Sequence, residues 1–115
     1  MKYFVDNFER RGTCYHEFAC GKWDGKTFWD DNSLYLRDDY MSDLKLYELI
    51  FKPAFEADGT KFNRWGANEV TRELWNRMIS LAEDVGGEVQ DLFFEITTWA
   101  EKNFSHNDVF SIIGM

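Results

Sequence analysis

Apolar residues recur at helical spacing in two adjacent stretches of the C-terminal half of the chain. The first stripe consists of Trp75, Met78, Ile79, Ala82 and Val85, and the second of Val89, Leu92, Phe93, Ile96, Trp99 and Ala100. Thr71 is a good N-cap for the first stripe, because its hydroxyl can accept a hydrogen bond from a backbone N–H of the first turn. Gly86-Gly87 can adopt the left-handed conformation that ends a helix. The pattern predicts two helices that are joined by a short turn and cover one common surface.

Alternation with a period of two predicts strands in the N-terminal half. In Thr13–Trp23, the side chains of Cys14, His16, Phe18 and Cys20 would share one face. Asp24-Gly25 follows between aromatic residues and is a strong hairpin signal, because a type I′ turn needs positive φ at both central positions. Lys26–Trp29 is then the return strand. Further strands are predicted within Lys2–Phe8, Leu34–Leu36 and Val109–Ile113.

The middle of the chain predicts a third helix and a long loop. Apolar residues at helical spacing place the helix at Tyr40–Phe51, and Pro53 is expected to end or kink it. The loop covers Ala54–Gly66, a length that is typical of a functional loop or of a missed short element. Together these elements predict an α+β fold, in which helices pack on one face of a mainly antiparallel sheet of about four strands. Residues 1–115 are predicted to form a single domain.

The net charge of the chain indicates which kinds of partner can be expected. The 115 residues include 13 basic and 21 acidic side chains, which gives a net charge of −8. Nucleic acids and anionic membranes attract basic surfaces, so neither is expected as a partner, whereas a basic protein fits this charge. No apolar run is long enough to span a membrane, and Asp6 interrupts the position where a signal peptide needs apolar residues. The sequence therefore predicts a cytoplasmic protein.

Cys14, His16 and Cys20 are the residues that most resemble a metal site. Thiolates and imidazole are zinc ligands, but zinc motifs usually contain a closer cysteine pair, and His106 or a carboxylate would have to supply the fourth ligand. The alternative is that both cysteines are small buried hydrophobic residues and that His16 is a hydrogen-bonded strand residue. We expect no zinc, no cofactor and two free thiols.

Two carboxylate pairs, Asp30-Asp31 and Asp38-Asp39, flank the third strand. Acid–base catalysis would need one member of a pair in an apolar pocket, whereas adjacent acids in turns are usually turn formers or helix caps. The chain contains no phosphate-binding, metalloprotease or nucleophile-elbow motif. The sequence therefore does not predict an enzyme.

Aromatic residues cluster around the predicted hairpin tip. Trp23, Phe28 and Trp29 either form an exposed partner-binding surface or fold back on the core. Carboxylates in nearby turns project freely and would focus negative potential on one side of the molecule. The residues predicted to bind a partner are Trp23, Asp24, Trp29, Asp30, Asp31, Asp38 and Asp39.

Four segments carry a resemblance to a known class of protein. They are the N-terminal strand, the Trp23-Asp24-Gly25 hairpin, the capped helix start Val70–Trp75 and the terminal strand Val109–Gly114. In a short, acidic, aromatic-rich chain, this combination resembles the small immunity proteins of bacterial toxin systems. The resemblance implies a protein that binds and neutralises a basic toxin domain, often a nuclease, and it assigns no active-site residue. The alternative is a small enzyme or ligand-binding domain with a pocket of carboxylates or His16 between sheet and helices.

Overall fold

Five strands form one antiparallel sheet in the computed structural model, which describes residues 1–114. Their order across the sheet is β1-β3-β2-β5-β4, and every neighbouring pair is antiparallel. The α+β class and the antiparallel sheet are confirmed, with one strand more than the four predicted. The strands are β1 Phe4–Val5, β2 Tyr15–Cys20, β3 Leu34–Arg37, β4 Ala67–Thr71 and β5 Val109–Gly114.

The predicted pair of C-terminal helices is confirmed, together with the residues that begin and end the first of them. The Thr71 hydroxyl accepts a hydrogen bond from the Leu74 backbone N–H at 3.1 Å, and Gly86 has a φ of 72°. Val85, predicted in the apolar stripe, is 43% exposed instead. The helices are α1 Asp39–Asp43, α2 Lys52–Ala57, α3 Arg72–Val85 and α4 Gly87–Phe104, and a π-helical turn, Tyr47–Phe51, runs directly into α2.

The core lies between the helices and one face of the sheet. Trp75 on α3 is 1% exposed and packs against Phe93 of α4 and Phe110 of β5. The strand residues that belong to this core share one face by the pairing register, and they are Phe4, Phe18, Leu36, Val70, Phe110 and Ile112. Within residues 1–114, no helix combines the length and the apolar character that crossing a membrane requires.

The middle of the chain differs from the prediction in three places. Lys45 has a φ of 53° and separates α1 from the following π-helical turn, so Tyr40–Phe51 is not one helix. Pro53 does not end a helix but lies in the first turn of α2, where a missing N–H is tolerated. The predicted loop Ala54–Gly66 was wrong at its start, because α2 continues to Ala57. Strand β4 was not predicted.

The predicted return strand Lys26–Trp29 does not form. Strand β2 ends at Cys20, and β3 begins at Leu34, so a loop of thirteen residues, 21–33, joins them. We call this segment the outer loop. The Asp24 carboxylate accepts hydrogen bonds from the Lys26 and Thr27 backbone N–H groups at 2.9 and 2.7 Å. This side-chain turn replaces the predicted type I′ turn.

Candidate functional site

The outer loop covers the sheet face opposite the helices. By the register, Glu17, Tyr35 and Ser111 point to this face, and each is at most 1% exposed. Because the helices lie on the other side, their burial comes from the outer loop and from the residues that follow β1. The sheet therefore has two covered faces, one under helices and one under loops.

Hydrogen bonds from two core residues fix the start of the outer loop. The Asn103 side-chain oxygen accepts from the Gly21 N–H at 2.9 Å. The Ser111 hydroxyl accepts from the Trp23 N–H and donates to the Gly21 carbonyl, both at 2.9 Å. Gly21 is thus attached to both α4 and β5, and Trp23 to β5, although both residues follow the end of β2 in sequence.

A buried carboxylate fixes the end of the outer loop. Glu17 on β2 accepts from the backbone N–H groups of Trp29 at 2.8 Å and Asp30 at 3.1 Å. It also accepts from the Ser33 hydroxyl at 2.7 Å. Charged hydrogen bonds of this kind are roughly twice as strong as neutral ones, and here they compensate a carboxylate that is 1% exposed. Glu17 therefore determines the path of the loop across the sheet.

A second segment, residues 6–12, holds the outer loop from the side. The Asn7 side-chain amide donates to the Trp29 carbonyl at 2.9 Å and to Asp31 at 2.7 Å. The Arg10 guanidinium lies 3.9 Å from the centre of the Trp29 ring, and that ring is 5.6 Å from Tyr35. Trp29 is consequently half-buried between Arg10 and the sheet, and only part of its ring is accessible to a partner.

Exposed aromatic rings border these fixed segments. Phe28 is 44% exposed and lies 5.2 Å from the half-buried Trp23, measured between ring centres. Phe8, in the 6–12 segment, is 80% exposed. We call Trp23 and Phe28 the aromatic surface. Sequence reasoning missed Phe8, and its one signal was an isolated aromatic residue between polar neighbours.

The three acids of the outer loop are exposed beside this surface. Asp24 also accepts from the Thr27 hydroxyl, and these bonds from Thr27, with that from Lys26, lower the pKa of its carboxyl to about 2. Asp30 accepts from the Asn32 N–H at 2.7 Å. Asp24 therefore stays ionised at neutral pH and adds negative charge next to Phe28.

Asp38 and Asp39 lie elsewhere, so the predicted set of partner-binding residues is not contiguous. The outer loop joins one end of the β2–β3 hairpin, whereas Asp38 and Asp39 follow β3 at its other end. Asp39 pairs with Arg37 at 2.7 Å. The structure thus brings together Trp23, Asp24, Trp29, Asp30 and Asp31 and leaves the other two acids apart.

Asp38 belongs to a cluster around the buried His16. Its carboxylate lies 2.7 Å from His16 Nε2 and 3.1 Å from Arg64 Nε, and the Trp65 ring stacks on His16. The Arg64 and Trp65 backbone crosses Gly114, where a Cβ atom would lie 1.8 Å from the Arg64 carbonyl oxygen. His16 is fully buried, so a substrate cannot reach it, and the cluster is a structural contact between β2 and residues 64–65.

Burial and hydrogen bonds shift both titrating groups of this cluster. Burial lowers the pKa of His16, although the Asp38 carboxylate opposes the shift. Burial would raise the pKa of Asp38, but hydrogen bonds from Arg64 and His16 outweigh it and hold that pKa below its usual value. Within residues 1–114, His16 Nδ1 is buried without a hydrogen-bond partner, which suits a neutral ring that donates through Nε2.

Acid should destabilise the protein through His16. Its pKa is lower in the folded than in the unfolded chain, so below about pH 6.5 the unfolded chain binds a proton that the folded chain does not. We expect urea melts to show stability falling between about pH 6.5 and 5, with a shallower slope for His16→Gln. Stability that rises over this range would mean that the His16 pKa is raised.

The predicted alternation of Cys14, His16 and Cys20 does not produce a shared environment. Both thiols are exposed and unpaired, whereas His16 is buried. The expectation of buried cysteines was therefore wrong. Burial raises the pKa of the Cys20 thiol, with Asp30 adding to the shift. In the part of the chain that the structure describes, no three metal-binding side chains lie together.

The carboxylates of Glu17, Asp24 and Asp30 share one concave surface. They line a cleft of about 260 Å³ beneath the outer loop, together with Trp23 and Thr27. The cleft lies on the loop-covered face and not between sheet and helices.

Comparisons with protein-family models, with curated proteins and with solved structures gave no match to this chain.

Proposed function

We propose that this protein is an interaction protein of the immunity type, which binds and neutralises a basic toxin domain through the aromatic surface. The observation that carries the proposal is the fixed outer loop. Hydrogen bonds from Glu17, Ser111 and Asn103 hold it on the sheet while Phe28 stays 44% exposed at its surface. A loop ordered before binding loses less conformational entropy in the complex, so more of the contact energy remains as affinity.

Charge and chemistry favour a basic protein as the partner. The net charge is −8, and Asp24, Asp30 and Asp31 are exposed in the same loop as Phe28. Negative potential around an aromatic patch attracts a positive surface and raises the association rate. Large rings at the centre of an interface commonly contribute most of its binding energy.

A small-molecule site is the weaker candidate. The cleft beneath the outer loop contains the Glu17 and Asp30 carboxylates, as an acid–base or ligand-binding pocket would require. However, both Glu17 oxygens already accept hydrogen bonds from loop residues. A ligand that used Glu17 would first have to displace Trp29, Asp30 or Ser33, so a protein partner fits the geometry better.

The test searches the neighbouring genes for a basic toxin domain and uses that domain in an attenuated form. We expect the two proteins to form a complex. At low salt, the Asp30→Lys/Asp31→Lys double variant should associate with the toxin domain about tenfold more slowly than the unmodified protein does. Phe28→Ala should dissociate about tenfold faster, as expected for a residue near the centre of an interface. Stopped-flow association at two salt concentrations and growth rescue of toxin-expressing cells measure these effects.

The control variants make the same change in charge and the same loss of a ring, but at exposed residues of the helices. Glu83→Lys/Asp84→Lys on α3 adds the same charge, and Phe94→Ala on α4 removes a ring that is 80% exposed. Both should associate and dissociate like the unmodified protein. An acidic partner, the absence of a complex, or equal effects of loop and helix variants would contradict the proposal.

A further inference from the structure

The two edge strands of the sheet differ in whether their outward backbone N–H groups have hydrogen-bond partners. At the β1 edge, the Glu95 carboxylate of α4 accepts from the backbone N–H groups of Lys2 at 3.1 Å, Tyr3 at 3.0 Å and Phe4 at 2.9 Å. These donors would otherwise be open to another strand. The β1 edge is therefore covered by a side chain of the same molecule, which is a common protection against unwanted pairing.

The β4 edge has no such cover. The Gly114 N–H donates to the Gly66 carbonyl at 2.9 Å, which identifies Gly66 and Gly114 as a hydrogen-bonded pair of the antiparallel ladder. Because bonded and non-bonded pairs alternate, the N–H and C=O groups of Ala67 and Glu69 point away from β5. Among the described residues, none of these four groups has a hydrogen-bond partner.

A cleft of about 410 Å³ follows this open edge. Its lining comes from both sides of the sheet, with Trp23 on the loop-covered side and Phe55 on the helical side. Ala67 and Glu69 lie between them. The open backbone groups thus lie at the floor of a slot with the half-buried Trp23 on one wall and the exposed Thr60 and Lys61, beside the buried Phe55, on the other. An extended chain placed there would direct alternate side chains toward these two walls.

We propose that the β4 edge binds an extended segment of a partner protein, which adds to the sheet as a sixth strand. Only an extended backbone offers donors and acceptors at the spacing of Ala67 and Glu69. The side chain opposite Glu69 would lie on the loop-covered face, where a basic residue would share the carboxylate with Lys22, whose Nζ lies 4.0 Å from it. Its neighbour in sequence points to the helical side, where Thr60 and Lys61 line the slot.

A second copy of this chain fits the edge less well than a foreign segment. Two-fold antiparallel pairing centred on β4 would place Glu69 directly opposite Glu69 of the other copy, and like charges at that position are destabilising. Each copy also carries a net charge of −8. The slot shares Trp23 with the aromatic surface, but the inference does not depend on the proposed toxin contact, because strand pairing uses only the outward backbone groups of β4.

The experiment uses a displayed library of short random peptides, selected on the purified protein. We expect extended binders that carry basic residues on the side facing Glu69 and that slow amide hydrogen exchange at Ala67 and Glu69. Glu69→Pro should weaken binding about tenfold, because it removes one outward N–H while the ladder to β5 keeps its bonds. Glu69→Gln is the matched control, since it keeps that N–H and should bind within about threefold.

Three results would overturn the proposal. One is a library that yields no binder, and another is a set of binders that leave exchange at Ala67 and Glu69 unchanged. The exchange measurement uses the unmodified protein, so it decides the matter even if Glu69→Pro fails to fold. The third is sedimentation that finds a dimer, converted to a monomer by Glu69→Pro, which would identify a second copy as the occupant.

Discussion

Replacing Trp75 by alanine should lower the free energy of unfolding by about 3–5 kcal/mol. The ring is 1% exposed and lies between the helices and the sheet, 5.8 Å from Phe93 and 5.6 Å from Phe110. Its removal loses buried apolar area and leaves a cavity that neighbours in two other elements cannot easily fill. Urea unfolding followed by circular dichroism measures the change.

Two further substitutions calibrate this result. Phe94→Ala removes a ring that is 80% exposed and should change stability by less than about 0.5 kcal/mol. Trp99→Ala should fall between the two, because its ring is half-buried against Phe18 and Phe110 while its indole N–H donates to the Asn32 carbonyl at 3.1 Å. If Trp75→Ala costs less than about 1 kcal/mol, the assignment of Trp75 to the core is wrong.

The two C-terminal helices were predictable because their signals are local. Thr71 caps α3 with a hydroxyl three residues from its donor, and Gly86 ends that helix with its own backbone conformation. The apolar stripes between them require only the period of the helix. Strand β5 was likewise predicted, and its interior place in the sheet agrees with its composition, since Val109–Ile113 is mostly apolar, as in strands covered on both faces.

Strand β4 and the helix break were not predictable from such patterns. In β4 a buried position holds Asn68, whose amide donates to the Asn63 carbonyl at 2.8 Å and to the Ile112 carbonyl at 3.1 Å. A polar residue satisfied by distant carbonyls removes the alternation on which the prediction depends. Lys45 adopts positive φ without being a glycine or an asparagine, so its residue type does not mark the end of α1.

Sequence patterns identified Trp23, Trp29 and the acids of the outer loop as candidates, but they missed Glu17 and could not assign a role to any of these residues. Trp23 and Trp29 were equivalent candidates, yet a cation from a different segment, Arg10, covers Trp29. Glu17 was one member of an alternating strand, and its partners are 12 to 16 residues away in sequence. Such contacts depend on the path of the outer loop, which no local spacing encodes. Whether these residues bind a toxin domain stays a prediction.

Glu17→Ala should be the most damaging single substitution on the loop-covered side of the sheet. It leaves the backbone N–H groups of Trp29 and Asp30 and the Ser33 hydroxyl without their acceptor. We expect a loss of at least about 3 kcal/mol, since each buried donor left unpaired carries a desolvation penalty. Urea unfolding measures the loss. The substitution should also increase the amide exchange rates of Trp29 and Asp30 more than those of residues elsewhere in the chain.

Two variants separate this effect from a general loss of negative charge. Glu83→Ala removes an exposed carboxylate from α3 and should change stability by less than about 0.5 kcal/mol. Glu17→Gln keeps the size of the side chain and one acceptor oxygen but faces the remaining donors with an amide N–H, so its loss should be intermediate. If Glu17→Ala and Glu83→Ala melt alike and the exchange at Trp29 is unchanged, Glu17 does not hold the loop. The aromatic surface would then lack the ordered support that the proposed partner contact requires.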